Sequence, residues 1–220
     1  MIKFNETSDS PGLIDPSDPD TYTLPVIRIL APDATKYKYK YIKDSVTIAQ
    51  YLDQVYPSTP PLFPPYTRAL QSGFQDSFRQ HVTKHLATLL IASQIDKLES
   101  QAAKDYYLRS REEWMGHPIG EFCPPGSDKE KEAWEGMTNG IKTVGSLLTR
   151  YGWNEGEKDE DKGWVMGAVG PTWIDIATVS VFLWFEKMGP DGGWKRITDM
   201  EGAEWVKKLW DNMGSYMEVV

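Results

Sequence analysis

The sequence predicts an α+β protein that is mostly α, a β-hairpin with one helix followed by an all-helical region. Two short strand-like runs, at 23–30 and 37–42, lie near the start. A Pro-rich break follows at 57–65. From residue 67 onward apolar side chains recur at helical spacing.

The elements follow in order. Residues 5–22 are rich in Ser, Asp and Pro and read as an irregular arm. Thr23-Leu24-Pro25-Val26-Ile27-Arg28-Ile29-Leu30 is a β-branched run around a Pro and reads as a strand. Ala31-Pro32-Asp33-Ala34 supplies a turn, and residues 37–42 alternate Tyr with Lys before ending in Ile. That alternation puts a Tyr ladder on one face of a second strand. Asp44 or Ser45 can cap a helix whose apolar positions are Val46, Ala49, Leu52 and Tyr56. The prolines beyond it mark a linker, so the chain divides into 1–60 and 66–220.

In the second part, Leu70, Phe74, Phe78, Val82, Leu86, Leu89 and Leu90 predict one long helix over 67–98. Further helices are expected at 101–115, 129–151, 172–187 and 200–213, with a Gly/Pro-rich loop at 116–127. The charge run at 154–161 reads as a solvated loop. Thr172 and Asp175 form a capping-box variant, a folding signal rather than a catalytic one.

Composition excludes several classes. With 24 basic and 32 acidic residues the net charge is −8, which disfavours nucleic acid and anionic membranes as partners. No apolar run approaches the ~20 residues of a membrane span. The N-terminus is polar, unlike a secretory signal, so a soluble cytoplasmic protein is expected. The single cysteine, Cys123, forbids an internal disulfide, and no local base or helix N-terminus marks it as a nucleophile. Nine Trp and eleven Tyr are many, and most are expected in the core.

The order and spacing of several motifs resemble a cytosolic glutathione transferase. They are Tyr22-Thr23-Leu24-Pro25-Val26-Ile27, Asp44-Ser45 with Ile48-Ala49-Gln50-Tyr51-Leu52-Asp53, Tyr56-Pro57, Phe63-Pro64 and Pro171-Thr172-Trp173-Ile174-Asp175-Ile176. The Tyr107-Leu108-Arg109-Ser110-Arg111-Glu112 stretch and the Trp-rich C-terminus are similar to the fungal class related to lignin β-etherases, the Fua type. The resemblance implies a thioredoxin-like first domain and a helical second one. It implies that Leu24, Pro25 and Val26 pair with the cysteinyl part of glutathione, and that Asp44 and Ser45 hold its γ-glutamyl end. Plain helix capping is the other reading of Asp44-Ser45.

A complete first domain of this family begins with a β-α-β that carries the thiol-activating Ser, Cys or Tyr. A βαβ unit takes about 30 residues, and only the Pro- and Asp-rich arm precedes Thr23 here. That part is therefore expected to be missing, and neither Ser8 nor Ser10 is assigned its role. The hairpin would then present a bare edge, covered by the arm or by a second subunit, and a homodimer is expected.

The resemblance places a hydrophobic acceptor in the helical domain. Candidate substrate residues are Phe74, Phe78, Tyr106, Tyr107, Arg109 and Trp184, with His81 and His85 as candidate acid/base residues. The histidines are four apart and share a helix side. A metal pair would need a third ligand that is not nearby, so no metal is expected, and a plain polar face is the bland alternative. Three functions follow. One is a glutathione-transferase-like protein acting on a hydrophobic or aromatic small molecule, with conventional thiol activation lost. The second is a glutathione-independent enzyme of secondary metabolism performing cyclisation, dehydration or isomerisation. The third is a non-catalytic ligand carrier.

Overall fold

The computed structural model describes residues 14–15, 18–22, 25–30, 39–150, 153, 163–167 and 170–217, the first two stretches by their backbone alone. Thr23, Leu24, Ser8, Ser10, the turn at 31–34 and the charge run at 154–161 lie outside them. The chain forms two compact units, Met1–Pro64 and Pro65–Val220.

In the first unit, strands β1 (Ile14–Asp15) and β2 (Asp18–Tyr22) pair antiparallel. The arm is therefore not wholly irregular. Its composition hid a short hairpin that Pro and Asp residues disguise. Strands β3 (Val26–Leu30) and β4 (Tyr39–Lys43) form a separate antiparallel pair, with Val26 opposite Lys43 and Leu30 opposite Tyr39. The register is one-for-one along the whole pair. Arg28 lies 4.4 Å from the centre of the Tyr39 ring across it. Helix α1 (Ser45–Val55) buries Ile48 and Ala49, and β4 buries Ile42. The Asp53 carboxylate accepts the N–H groups of Leu62 (2.9 Å) and Phe63 (2.8 Å), which pins the Pro-rich segment to α1.

The second unit opens with α2 (Arg68–Phe78), a π-helical turn (Arg79–Thr83) and α3 (Lys84–Lys97). The single helix expected over 67–98 is thus one path with a slipped hydrogen-bond register at its middle. Leu70, read as part of the apolar stripe, faces solvent. Helix α4 (Gln101–Met115) is capped by the Ser100 hydroxyl, which accepts from Ala103 N–H, and stopped by Gly116 in the left-handed region at φ 75°. It buries no residue. A 3₁₀ turn (Ile119–Glu121) leads to α5 (Asp128–Arg150), then α6 (Trp173–Met188), α7 (Gly193–Thr198) and α8 (Glu204–Met217). The last helix expected at 200–213 is α8, which starts four residues later at Glu204, and the short α7 ahead of it was not expected.

The core lies where these helices meet. Val82, Leu86 and Leu90 from the first path pack with Met137, Ile141 and Val144 of α5, Phe182 and Phe185 of α6, and Trp205 and Leu209 of α8. Burying each such side chain is worth about 1.5–3 kcal/mol. Most tryptophans are consumed this way, Trp134, Trp153, Trp164 and Trp205 among them, whereas Trp114 and Trp184 are exposed. Cys123 is buried, and burial first and Glu130 second push its thiol pKa up, so it is a poor nucleophile.

Two buried polar groups fix the start of α6. The Thr172–Asp175 capping box is formed as its sequence suggests. Asp175 accepts from the Thr172 hydroxyl (2.6 Å), the Thr172 N–H (2.8 Å) and the Val165 N–H (2.7 Å). Gln71 of α2 is fully buried too; it accepts from Ile174 N–H at 3.0 Å and donates to the Thr67 hydroxyl at 3.0 Å. Nothing in the sequence period singles out Gln71, because a glutamine on an amphipathic helix normally faces water.

Candidate functional site

In the first unit the candidate residues sit at one helix start. Asp44 caps α1, its carboxylate accepting from Thr47 N–H (2.9 Å) and the Thr47 hydroxyl (3.0 Å). Its backbone has φ 73° and ψ 122°, a conformation that disfavours a residue with a Cβ. Strain of roughly 1–3 kcal/mol at such a residue marks functional sites. Ser45 follows as the first residue of α1, whose free N–H groups and positive dipole end favour a carboxylate. Pro25 is exposed and Val26 half-buried, while Leu24 lies outside the described residues. A cleft of about 370 Å³ opens beside Lys43 and Thr47, between Tyr41 and Tyr51, but Pro25, Val26, Asp44 and Ser45 do not line it.

The strain and the cap at Asp44 can be separated. Asp44→Ala loses the cap and keeps the strain, whereas Asp44→Gly loses only the side-chain bonds of the cap and relieves the strain. Glycine also serves as a tolerable cap. We expect Asp44→Ala to be about 1–2 kcal/mol less stable than Asp44→Gly in urea unfolding. Equal stability of the two variants would refute the strain.

In the second unit the π turn decides the geometry. It lies where α5 crosses the first helical path. A Cβ on Gly140 would sit 1.8 Å from the His81 carbonyl oxygen, so the two backbones touch there. A Cβ on Gly136 would sit 2.2 Å from the His85 ring, so that imidazole lies flat against α5. The His85 imidazole therefore packs against α5 rather than facing an apolar pocket as expected, and at His81 it is the backbone that α5 touches. Burial, then the charges of Lys84 and His81, holds the His85 imidazole below the usual histidine range.

The cavity lies elsewhere on the same turn. About 160 Å³ opens between the π turn and α6, lined by Gln75, Phe78, Arg79, Thr83, Ile174, Thr178 and Val181. The Thr178 hydroxyl is buried with no hydrogen-bond partner among the described residues. An apolar cavity of ~150 Å³ is enough for a benzene ring. Of the candidate substrate residues only Phe78 lines this space. Phe74 stacks on it at 6.4 Å, and Phe78 also meets Phe182 and Trp205 edge-on, so it is core as well as lining. Tyr106, Tyr107 and Arg109 stay together on α4. The Tyr107 hydroxyl donates to the Ile91 carbonyl at 3.0 Å, and Arg109 lies 5.8 Å from the exposed Tyr106 ring. Trp184 is exposed on α6. The residues missed by sequence reasoning are Arg79, Thr83 and Thr178, whose positions depend on the π turn that no apolar period shows.

Residues 69–216 match the family model described as glutathione S-transferase, C-terminal domain. The chain belongs to the glutathione transferase family. Glutathione S-transferase-like protein ustS of Aspergillus flavus is 29% identical over 203 residues, spanning 90% of this chain and 68% of its own. A glutathione S-transferase of Ceriporiopsis subvermispora, CsGST63524, crystallised with glutathione, superposes with a TM-score of 0.71 at 31% identity. That match covers 94% of this chain and 76% of the other. GSTFuA3 of Phanerochaete chrysosporium gives a TM-score of 0.73 at 28% identity, covering 94% and 75%. The fungal Fua-type resemblance thus holds, and the fold is a partial thioredoxin-like unit followed by the helical domain of glutathione transferases. Among the described residues no cluster of three metal-ligating side chains occurs, and no helix is long and apolar enough to cross a membrane.

Proposed function

We propose that this chain is a glutathione-transferase-like protein acting on a hydrophobic or aromatic small molecule, and that conventional activation of the glutathione thiol is lost. The observation that carries the first part is the cavity beside Phe78, where Ile174 and Val181 meet the polar Gln75, Arg79, Thr83 and Thr178. Glutathione itself is proposed to meet the α1 terminus at Asp44 and Ser45, with Pro25 and Val26 beside it and Leu24 in the same run. The relative crystallised with glutathione supports that ligand. The described residues ahead of β3 form a small hairpin. Phe74, Tyr106, Tyr107, Arg109 and Trp184 belong to the proposal as substrate contacts. So do a homodimer and a cytoplasmic location.

Calorimetric titration with glutathione, paired with a conjugation assay on an electrophilic aromatic, tests it. The expected result is weak binding with conjugation close to the uncatalysed rate. Ordinary transferase turnover would overturn the loss of activation. No heat at millimolar glutathione would overturn glutathione as ligand and leave a second reading. In that reading His81 and His85 act as an acid/base pair in a glutathione-independent reaction. It draws on one observation: burial holds the His85 imidazole below its usual pKa, which favours its neutral form. Normal turnover by both His81→Gln and His85→Gln would end it.

A further inference from the structure

A second concavity opens on a different part of the helical unit. It encloses about 600 Å³ between the C-terminal half of α5 and the turn that enters α8. That volume lies within the ~300–1,000 Å³ of small-molecule sites. It shares no lining residue with the cavity beside Phe78.

Its two walls carry opposite charge. Lys142, Ser146, Thr149 and Arg150 follow one another at helical spacing along α5, giving two cations and two hydroxyls on one side. Glu201 and Glu204 stand on the other side. At one end the walls are already joined, since Lys142 Nζ is 2.7 Å from Glu201 Oε2. Arg150 and Glu204 also line the cleft, on opposite walls, and neither has an ion-pair partner among the described residues. Eight residues of helix separate Lys142 from Arg150, about 12 Å along the axis.

The floor is apolar. Trp205 and Trp153 line it, and the Trp205 indole N–H is used by the Ile141 carbonyl at 3.0 Å. Gly145 keeps the cleft deep. A Cβ there would stand 2.8 Å from Trp205 Cδ1 and 3.2 Å from the Gly202 carbonyl oxygen.

A ligand for this cleft has an anionic end for Arg150, a cationic end for Glu204 and an apolar body. A guanidinium binds a carboxylate through two parallel hydrogen bonds, and the Thr149 and Ser146 hydroxyls add donors beside it. We propose that this cleft binds a short zwitterionic peptide, of two or three residues, with its C-terminal carboxylate at Arg150 and its free amino group at Glu204. The site stands apart from the transferase reading.

Calorimetry with the tripeptide Gly-Gly-Tyr tests it on the full chain. Arg150 and Glu204 are exposed, so Arg150→Ala and Glu204→Gln leave the core intact. Binding with a submillimolar Kd is expected. Each variant is expected to weaken it at least fivefold, and the same tripeptide with acetylated and amidated ends is expected to give no heat. No heat from the free tripeptide at 10 mM, equal binding of the capped one, or unchanged binding by both variants would overturn the assignment.

Discussion

Replacing Gly140 by alanine is expected to destabilise the helical unit by about 3 kcal/mol or more, although alanine is the better helix former. The added methyl would lie 1.8 Å from the His81 carbonyl oxygen. That oxygen is backbone, held in the π turn, and cannot swing aside as a side chain would. Either α5 backs away or the first helical path bends, and both loosen contacts of Val82, Leu86 and Ile141. Gly73 supplies the control. It lies inside α2 with nothing within 4 Å of a built Cβ, so Gly73→Ala is expected to stabilise by up to about 1 kcal/mol. Guanidinium unfolding followed by circular dichroism reads both. A Gly140→Ala variant as stable as the parent would mean that the helices do not touch as described.

The second large effect is expected at Asp175. Asp175→Ala leaves the Val165 N–H, the Thr172 N–H and the Thr172 hydroxyl without their acceptor in a buried place. Each orphaned donor costs about 1–3 kcal/mol, so a total loss of about 3–5 kcal/mol is expected. Asp175→Asn keeps the shape and one acceptor oxygen and should fall between. Burial raises the Asp175 pKa above its unfolded value, against the pull of its hydrogen bonds. Folding therefore takes up a proton in the acid range. The stability contributed by the protonated form is present at low pH and is lost as pH rises through the folded pKa. The Asn variant lacks that slope. Thermal unfolding across the acid range measures both effects, and an Asp175→Ala variant within about 1 kcal/mol of the parent would contradict the capping role.

What the sequence disclosed follows from range. Caps are local: Asp44 before α1 and the Thr172–Asp175 pair are visible because their chemistry spans three or four residues. The strand pair was legible for the same reason, through the Tyr–Lys alternation of β4. The π turn was not, because a slipped hydrogen bond leaves the apolar period nearly intact. The facing of His81 and His85 depended on it, and on Gly136 and Gly140, which read as poor helix formers until α5 is seen crossing at those two residues. Gln71 was invisible since its partner, Ile174, is far along the chain. Helix α7 has six residues, too few to show a period. The cavity beside Phe78 combines all of these, so only Phe78 was found in advance.

Helix α4 has a consequence of its own. It buries no residue and is tied down by little more than the Tyr107 hydroxyl on Ile91 and the Glu112 carboxylate on Ile119 N–H. Such a segment opens and recloses while the rest of the unit stays folded, so its amides should exchange with solvent well ahead of those in α5 and α6. It also leaves selection free hands. Tyr106, Arg109 and Trp114 can be exchanged without disturbing anything beneath them, and a lineage could re-surface this one helix while the fold stood still.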